Sequence, residues 1–377
     1  MCCDTISLYF LKYNDVKKKR VEMKKLVSLL LTVVFMFSVA GCGSNTQSSS
    51  SAVSESSGSQ SVSSQSTETA EDLQTSYPVT VTDQAGREVT IEKEPEKVVS
   101  GYYISTSLLI ALGQESKIVG IEAKADKRPI YKLSAPELIE LPNVGSAKQF
   151  DLEGCAALEP DLVILPLKLS DAADTLTDLG IDVLLVNPEN QELSDEMRDI
   201  VSVAMNCQDK AEELSAFVAE QEEFLSKATE NSEKPTVYLA GNSSFLSTAG
   251  SQMYQNSLIT MAGGENVAAE ISDTYWAEVS YEQVLAWNPD YIIIAAEADY
   301  TVDDVLNDPN IADLQAVKDK KVYQMPNSAE AWDSPVPGGI LGAVWLSGIL
   351  CEDVTSETVN SIIGEFYDTF YGFTYQE

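Results

Sequence analysis

Two distant segments of this chain share nearly the same pattern of apolar and polar positions. They are LEGCAALEPDLVIL, from Leu152 to Leu165, and YEQVLAWNPDYIII, from Tyr281 to Ile294. In each, an amphipathic run ends at a residue followed by Pro-Asp, and an unbroken apolar run comes next. The apolar runs are short and rich in Val, Ile, Leu and Tyr, so they predict strands buried on both faces. The repeat predicts that each copy belongs to its own α/β lobe.

The same order of predicted elements surrounds both copies. The segment YPVTVTDQAGREVTI predicts a hairpin that turns at Asp83 to Gly86. Further predicted strands are Val98–Ser100, Ile181–Val186, Val237–Ala240 and Lys321–Met325. A polar-aromatic loop from Gly101 to Ser107 and a loop from Gly241 are expected to lead into helices at Leu108–Leu112 and Asn256–Ala262. Alternating strands and helices predict parallel sheets with right-handed crossovers.

A Gly- and Pro-free stretch separates the two halves, from Gln191 to Lys234. A mostly apolar stripe at helical spacing comprises Ala211, Leu214, Val218, Gln221 and Leu225. Asp209 and Glu212 predict a capping box, so we expect a shorter helix, a break near Asn206 to Gln208, and then a long helix. Such a connection would permit little hinge motion between the lobes.

These patterns predict an α/β fold with two Rossmann-like lobes of mostly parallel sheets, joined by one long rigid helix. The expected bounds are residues 77–190 for the first lobe, 191–233 for the linking helices, and 234–377 for the second lobe with its terminal helix. Open α/β sheets bind ligands at the carboxyl ends of their strands. A ligand cleft is therefore expected between the lobes.

The N-terminus predicts targeting rather than folded structure. Met23 begins a Met-Lys-Lys run followed by an apolar stretch, Leu26 to Ala40, and small residues before Cys42. This resembles the bacterial lipoprotein signal, which implies a signal peptide over residues 1–41, with Met23 as the start, and lipidation of Cys42. A membrane-spanning anchor is the alternative, but the stretch falls short of the roughly 20 apolar residues needed. The Ser-rich residues 42–76 predict a flexible tether.

Charge and composition narrow the chemistry. The net charge of -35 disfavours binding to phosphate backbones, so nucleic acid is not an expected partner. The chain contains no histidine, the commonest ligand of transition-metal sites. Bare zinc or manganese is therefore an unlikely solute, and any metal is expected to arrive already chelated. Cys155, Cys207 and Cys351 fit no zinc spacing and predict three separate buried residues.

Taken together, these features resemble the helical-backbone substrate-binding lipoproteins of ABC importers, which capture iron siderophores, haem or cobalamin. The resemblance rests on the lipoprotein signal, the tether, VTDQAGREVTIEKEPEKVV, the paired Pro-Asp strands, the linking helix and LITMAGGENVAAE. It implies a monomer, anchored by acyl chains at the outer face of the membrane, that delivers its solute to a permease. We expect the solute to be an iron complex, a siderophore or haem, with no resident cofactor.

Other solutes and functions stay open at this point. Cobalamin, another metal chelate or an oxyanion would suit the same fold. An enzyme is the alternative from another class, but the chain has no G-x-S-x-G nucleophile motif, no P-loop and no histidine base. Only hydrolysis by carboxylates would remain. A passive adhesion lipoprotein is a third possibility, and titration with solutes would distinguish it from a binder.

The resemblance and the element pattern together give candidate ligand contacts. Trp276 corresponds to a Trp of cobalamin-binding members, whereas Ala147 stands where those members have a second one. Further candidates are Tyr275, Tyr102, Tyr103, Tyr254, Trp332, Lys148 and Lys168. A basic first-lobe wall facing an aromatic second-lobe wall suits an anionic chelate. The basic residues from Lys124 to Lys132 are expected instead to balance nearby acids.

The resemblance also implies one permease-docking carboxylate in each lobe, after the Pro-Asp strand. The candidates are Asp171 or Asp174 in the first lobe and Glu297 or Asp299 in the second. Charge-assisted pairs at two separated points would orient the protein on its permease.

Overall fold

The opening hairpin forms where the sequence predicts it, in a computed structural model that describes residues 74–376. Strand β1 (Val79–Thr82) pairs antiparallel with β2 (Glu88–Ile91). Asp83 stabilises the turn because its carboxylate accepts hydrogen bonds from the backbone N–H groups of Ala85 and Arg87, at 3.0 and 2.9 Å. The same carboxylate pairs with the Arg87 guanidinium.

The first lobe, as we name residues 77–190, is built on a four-stranded parallel sheet. After the opening hairpin, the strands of this lobe are β3 (Val98–Ser100), β4 (Ile118–Ile121), β5 (Gly145–Ser146), β6 (Gln149–Phe150), β7 (Leu162–Pro166) and β8 (Asp182–Val186). The sheet order is β4-β3-β7-β8, and β5 and β6 form a separate small hairpin. The helices are α1 (Tyr103–Ala111), α2 (Pro129–Ser134), α3 (Leu152–Ala157) and α4 (Ser170–Asp178).

The connection consists of two helices, α5 (Gln191–Met205) and α6 (Gln208–Thr229). The break lies where it was predicted, because Asn206 adopts a left-handed conformation with φ 55°. The capping box was wrong: the N-cap of α6 is Cys207, without a side-chain bond, and Asp209 lies in the first turn. Leu214, Val218 and the rest of the apolar stripe are buried.

The second lobe, as we name residues 234–376, has a mixed sheet. Its strands are β9 (Thr236–Ala240), β10 (Ser247–Ala249), β11 (Glu265–Asn266), β12 (Trp276–Glu278), β13 (Tyr291–Ile294) and β14 (Val322–Gln324). The order is β12-β10-β9-β13-β14, with β11 also paired to β9. The helices are α7 (Tyr254–Met261), α8 (Tyr281–Trp287), α9 (Val302–Leu306), α10 (Gln315–Lys318), α11 (Ile340–Leu350) and α12 (Ser356–Tyr371).

The repeated Pro-Asp segment performs the same structural task in both lobes. In the first, the Asp161 carboxylate accepts from the backbone N–H groups of Glu96 and Lys97, both at 3.0 Å. In the second, the Asp290 carboxylate accepts from the Thr236 N–H at 2.8 Å. Each aspartate thus joins the start of its own buried strand to the start of the neighbouring one, β3 or β9. The repeat therefore sets the register of the central strand pair.

Three details differ from the sequence-based expectation. Helix α1 begins at Tyr103 rather than after Ser107, because the hydroxyl of Ser105 bonds back to the Tyr102 carbonyl at 2.8 Å and the polar turn is buried. The expected loop after Gly241 contains the antiparallel strand β10. Both sheets are mostly parallel, as predicted, but the second also carries two antiparallel pairings, of β10 with β9 and of β10 with β12.

Residues 74–376 fall within one compact unit. The three cysteines in this part of the chain are free and buried, as predicted: Cys155, Cys207 and Cys351. None of the helices in residues 74–376 is both long and apolar enough to cross a bilayer. The predicted signal peptide, Cys42 and nearly all of the tether lie outside the described residues.

Candidate functional site

A cavity of about 180 Å³ lies where the carboxyl ends of strands from both lobes face each other. The first lobe contributes the segments after β3 and β4, and the second contributes those after β13 and β14. Residues from both lobes line it, among them Tyr103, Arg128, Tyr131, Glu297, Asn327 and Glu330. The predicted interlobe cleft is therefore present.

Arg128 places a guanidinium in the cavity wall. It precedes Pro129, which disfavours helical backbone at Arg128, and serves as the N-cap of α2 with an extended conformation. The guanidinium carbon lies 4.1 Å from the centroid of the Tyr103 ring, a cation–π contact. Arg128 Nη1 donates to Glu297 Oε1 at 2.8 Å across the cleft. The side chains of Arg128 and Glu297 are 25% and 51% exposed.

Glu330 lies at the cavity floor and also joins the lobes. Its carboxylate accepts hydrogen bonds from the Ser107 hydroxyl of the first lobe and from the Tyr371 hydroxyl, the latter at 3.1 Å. The Tyr371 hydroxyl also lies 3.2 Å from the Ser107 carbonyl. Burial raises the pKa of Glu330 to about 7, although both hydroxyl bonds oppose this shift. Near neutral pH the carboxyl group is thus partly protonated.

Two further acids are buried beside the cleft. Glu122, just after β4, accepts from the hydroxyls of Tyr131 and Thr106, both at 2.7 Å. Burial raises the pKa of Glu122 despite these bonds. In the second lobe, Asp333 accepts from the Ala296 N–H at 2.9 Å, and burial raises its pKa to about 6. These acids orient the polar groups that surround the cavity.

The predicted aromatic residues divide between the cleft and the core. Trp276 lies on β12 opposite Ala249 and is 37% exposed. Its ring packs over Gly241, where an added Cβ would lie 2.8 Å from Trp276 Cζ3, so the close approach requires glycine. Tyr275 beside it is also exposed. Trp276 therefore lies beside the carboxyl end of β9, but neither Trp276 nor Tyr275 is among the residues that line the cavity.

In the first lobe, Tyr103 lines the cavity, and Tyr102 contacts it edge-to-face with 5.4 Å between ring centroids. Trp332 and Tyr254 are in different positions from those expected. Trp332 is 2% exposed and donates to the Tyr367 hydroxyl at 2.7 Å, and Tyr254 is buried in α7. Their burial corrects the expectation that they line the cleft.

The predicted cations are not those that line the cavity. Lys148 is exposed in the turn between β5 and β6, and Lys168 is exposed directly after β7. Neither contributes to the cavity wall, where the cationic side chains are Lys127 and Arg128. Lys127 and Arg128 each pair with an acid, Asp126 and Glu297, as expected for residues 124–132, but both cations also line the cavity. The missed signal was the position of Arg128 after a parallel strand, immediately before the proline that starts a helix.

The four docking candidates have different surroundings. Asp171 and Asp299 are exposed. Asp174 is exposed too, and lies 3.7 Å from the Arg87 guanidinium. Permease docking by any of the four stays a prediction. Glu297 is the one candidate among them that lines the interlobe cavity.

Among residues 74–376, no group of three or more His, Cys, Asp or Glu side chains is arranged to hold a metal ion. The described cleft instead offers a guanidinium, amide and hydroxyl groups, and the carboxyl groups of Glu297 and Glu330. These groups suit hydrogen bonding to a solute.

Comparison with known proteins decides the family. The model of the periplasmic binding protein family matches residues 98–329. The chain belongs to this family. It is therefore a solute-binding protein and not an enzyme, which confirms the interpretation of its sequence.

Three similar proteins illustrate the relationship. The molybdate-binding protein MolA of Haemophilus influenzae is 28% identical, over 78% of this chain and 92% of the relative. An uncharacterized ABC transporter substrate-binding lipoprotein of Bacillus subtilis, YvrC, is also 28% identical, over 66% of this chain and 78% of the relative. The structure of MolA bound to molybdate superposes with a TM-score of 0.68 at 25% identity, and covers 79% of this chain and 99% of that one.

Proposed function

We propose that this protein is the extracytoplasmic substrate-binding lipoprotein of an ABC importer and that it binds a compact anionic solute between its lobes. Similarity to MolA and to the ABC transporter lipoprotein YvrC, together with the lipoprotein signal before Cys42, supports the importer assignment. A permease and, through acyl chains on Cys42, the outer face of the membrane are the proposed partners. We expect the binding unit to be a monomer.

The position of the Arg128 guanidinium in the cavity wall is the observation that best supports an anionic solute. Arginine presents several N–H donors in a planar fork that matches the oxygens of carboxylates and oxyanions. Here the fork lies in a polar cavity of about 180 Å³, below the roughly 300–1,000 Å³ of pockets for drug-sized ligands. A tetrahedral oxyanion of the molybdate type suits this volume and charge, and MolA is a molybdate-binding protein.

An iron complex is the second candidate. It is favoured by the exposed Tyr275 and Trp276 on the second lobe and by Lys148 and Lys168 on the first. Aromatic rings and cations near the cleft would contact a flat or chelated anion such as a siderophore complex or haem. A solute of this size would need wider separation of the lobes than the cavity described here, and the same holds for cobalamin.

Titration of the full-length protein in detergent with a panel of solutes tests the proposal. The panel contains molybdate, tungstate, sulfate, a ferric siderophore, haem and cobalamin, and binding is followed by calorimetry and tryptophan fluorescence. We expect saturable binding of an oxyanion, weakened at least about 30-fold by Arg128→Gln, because loss of a charge-assisted contact costs about 2 kcal/mol or more.

Lys132→Gln is the matched control, since it removes an exposed cation from the same lobe that does not line the cavity. This variant should bind like the wild type. Binding of haem, cobalamin or a siderophore complex without any oxyanion would replace the first candidate by the second. Binding of none of these solutes would contradict the proposed solute class.

A further inference from the structure

Glu297 holds the position where an anionic solute would meet Arg128. Its Oε1 accepts the hydrogen bond from Arg128 Nη1, and no other hydrogen bond to its carboxylate is found within residues 74–376. Arg128 belongs to the first lobe and Glu297 to the second. The Glu297 carboxylate is therefore bound to the same guanidinium that is proposed to bind the solute.

We propose that Glu297 is an internal competitor for Arg128 and thereby sets the affinity of the cleft for anions. This inference rests on the proposed function, because it takes Arg128 as the anion-binding group. The solute oxygens replace the Glu297 carboxylate on the guanidinium, and Glu297 turns towards solvent.

The two partners differ in how firmly they are held. The Arg128 guanidinium lies against the Tyr103 ring, and its backbone is fixed by Pro129 at the start of α2. Glu297 directly follows the buried residues Ala295 and Ala296, but its own side chain is half exposed. The carboxylate can therefore leave without moving the sheet, while the guanidinium stays in place for the incoming anion.

Charge determines which solutes can make this exchange. A neutral solute cannot replace a carboxylate on a guanidinium without loss of the ionic contact. An anion replaces one charge-assisted hydrogen bond by another and can use further guanidinium donors. An anion that enters while Glu297 remains beside Arg128 would meet like-charge repulsion, so the anion must displace the carboxylate. The cleft should thus discriminate against uncharged solutes of the same size.

The substitution Glu297→Gln tests competition directly, with molybdate as the probe and calorimetry of the full-length protein as the measurement. Glutamine keeps the size of the side chain but lacks the negative charge. Exposed ion pairs are worth about 0.2–1 kcal/mol, so release of Arg128 alone should tighten molybdate binding by up to about fivefold, and the loss of repulsion adds to this gain.

Asp303→Asn is the matched control because Asp303 is an exposed acid of the same lobe that does not line the cavity. It measures the effect of one fewer negative charge at a distance, and should change affinity less than twofold. Thermal unfolding of each variant checks that the fold is intact.

Three results would overturn the inference, and they are distinguishable. If the wild type binds molybdate and Arg128→Gln loses it, but Glu297→Gln binds equally or more weakly, Glu297 is no competitor while the proposed function stands. If Asp303→Asn gains as much as Glu297→Gln, the effect is one of overall charge. If neither the wild type nor Glu297→Gln binds any oxyanion, the proposed solute class and the inference fail together.

Discussion

Two glutamates of the second lobe reach the first lobe at the same cleft, yet their surroundings differ. Glu330 is 5% exposed and accepts bonds from Ser107 and Tyr371 at the cavity floor. Glu297 is half exposed and pairs with Arg128 at the cavity wall. This difference indicates that the Glu330 contact holds the lobes together, whereas the Glu297 contact can be exchanged for a solute.

Solvent exposure explains this division. Removal of one partner from a buried hydrogen bond leaves the other unsatisfied, at a cost of about 1–3 kcal/mol. An exposed ion pair contributes at most about 1 kcal/mol, because water solvates both charges when they separate. Glu330 is therefore expected to support the interlobe structure, and Glu297 to be exchangeable.

The substitution Glu330→Ala should have the largest effect on stability. It would remove the Glu330 acceptor of the Ser107 hydroxyl, leave the Tyr371 hydroxyl with only the Ser107 carbonyl, and create a cavity. We therefore expect the free energy of unfolding to fall by about 3 kcal/mol at pH 5. Urea denaturation at that pH provides the measurement. Glu365→Ala, at an exposed position of α12, should change stability by less than about 0.5 kcal/mol. Equal effects of both variants would remove the distinction between the contacts.

The pH dependence of the free energy of unfolding of Glu330→Gln also tests whether Glu330 is a buried structural contact. The folded pKa of Glu330 is raised to about 7, above that of an unfolded glutamate, so the folded state binds more protons between about pH 4.5 and 7. Wild-type stability should therefore fall as pH rises through this window, by up to about 3 kcal/mol. Glutamine does not ionise. The variant should gain stability relative to the wild type from pH 5 to pH 8, and parallel profiles would contradict the assignment.

Tyr103 tests whether Arg128 is held ready for a solute. Tyr103→Leu removes the ring beneath the guanidinium, a contact worth about 0.5–1 kcal/mol at exposed sites, so molybdate affinity should fall by about two- to fivefold. Tyr103→Phe keeps the ring and serves as the control, and calorimetry compares the two. Equal losses in both variants would assign the effect to the hydroxyl, which lies 3.4 Å from Ser334 Oγ.

The smallest expected effect concerns the Arg128–Glu297 pair itself. A double-mutant cycle of Arg128→Gln and Glu297→Gln should give a coupling of less than about 1 kcal/mol in the free energy of unfolding. Denaturation in low and in high salt measures it, and the coupling should shrink as salt increases. A coupling of about 3 kcal/mol, like that expected for a buried pair, would mean that Glu297 is structural.

The sequence predicted the architecture well because its clearest patterns come from residues that bond to the backbone or set its conformation. In each Pro-Asp segment the aspartate bonds to the start of the neighbouring strand. The break at Asn206 lies just before the helix that carries the mostly apolar stripe. The start of α1 was missed because its polar turn is stabilised by hydroxyl bonds from Ser105 and Thr106. Such bonds depend on burial, which periodicity does not reveal in a polar segment.

The cleft was predicted less completely than the fold. Its location follows from the carboxyl ends of parallel strands, and Tyr103 was identified on that basis. Arg128 and Glu330 were not identified, because each acquires its role from a partner more than 150 residues away. Trp332 was misplaced because its hydrogen bond to Tyr367, 35 residues further along the chain, holds it in the core.

A crystal structure of the complex with the oxyanion that binds most tightly tests the central claim most directly. We predict that solute oxygens lie within hydrogen-bond distance of the Arg128 guanidinium, that the Tyr103 ring still lies beneath it, and that the Glu297 carboxylate has moved away. The Ser107–Glu330–Tyr371 contacts should be unchanged. A solute bound elsewhere, with the 2.8 Å pair between Arg128 and Glu297 intact, would contradict this account.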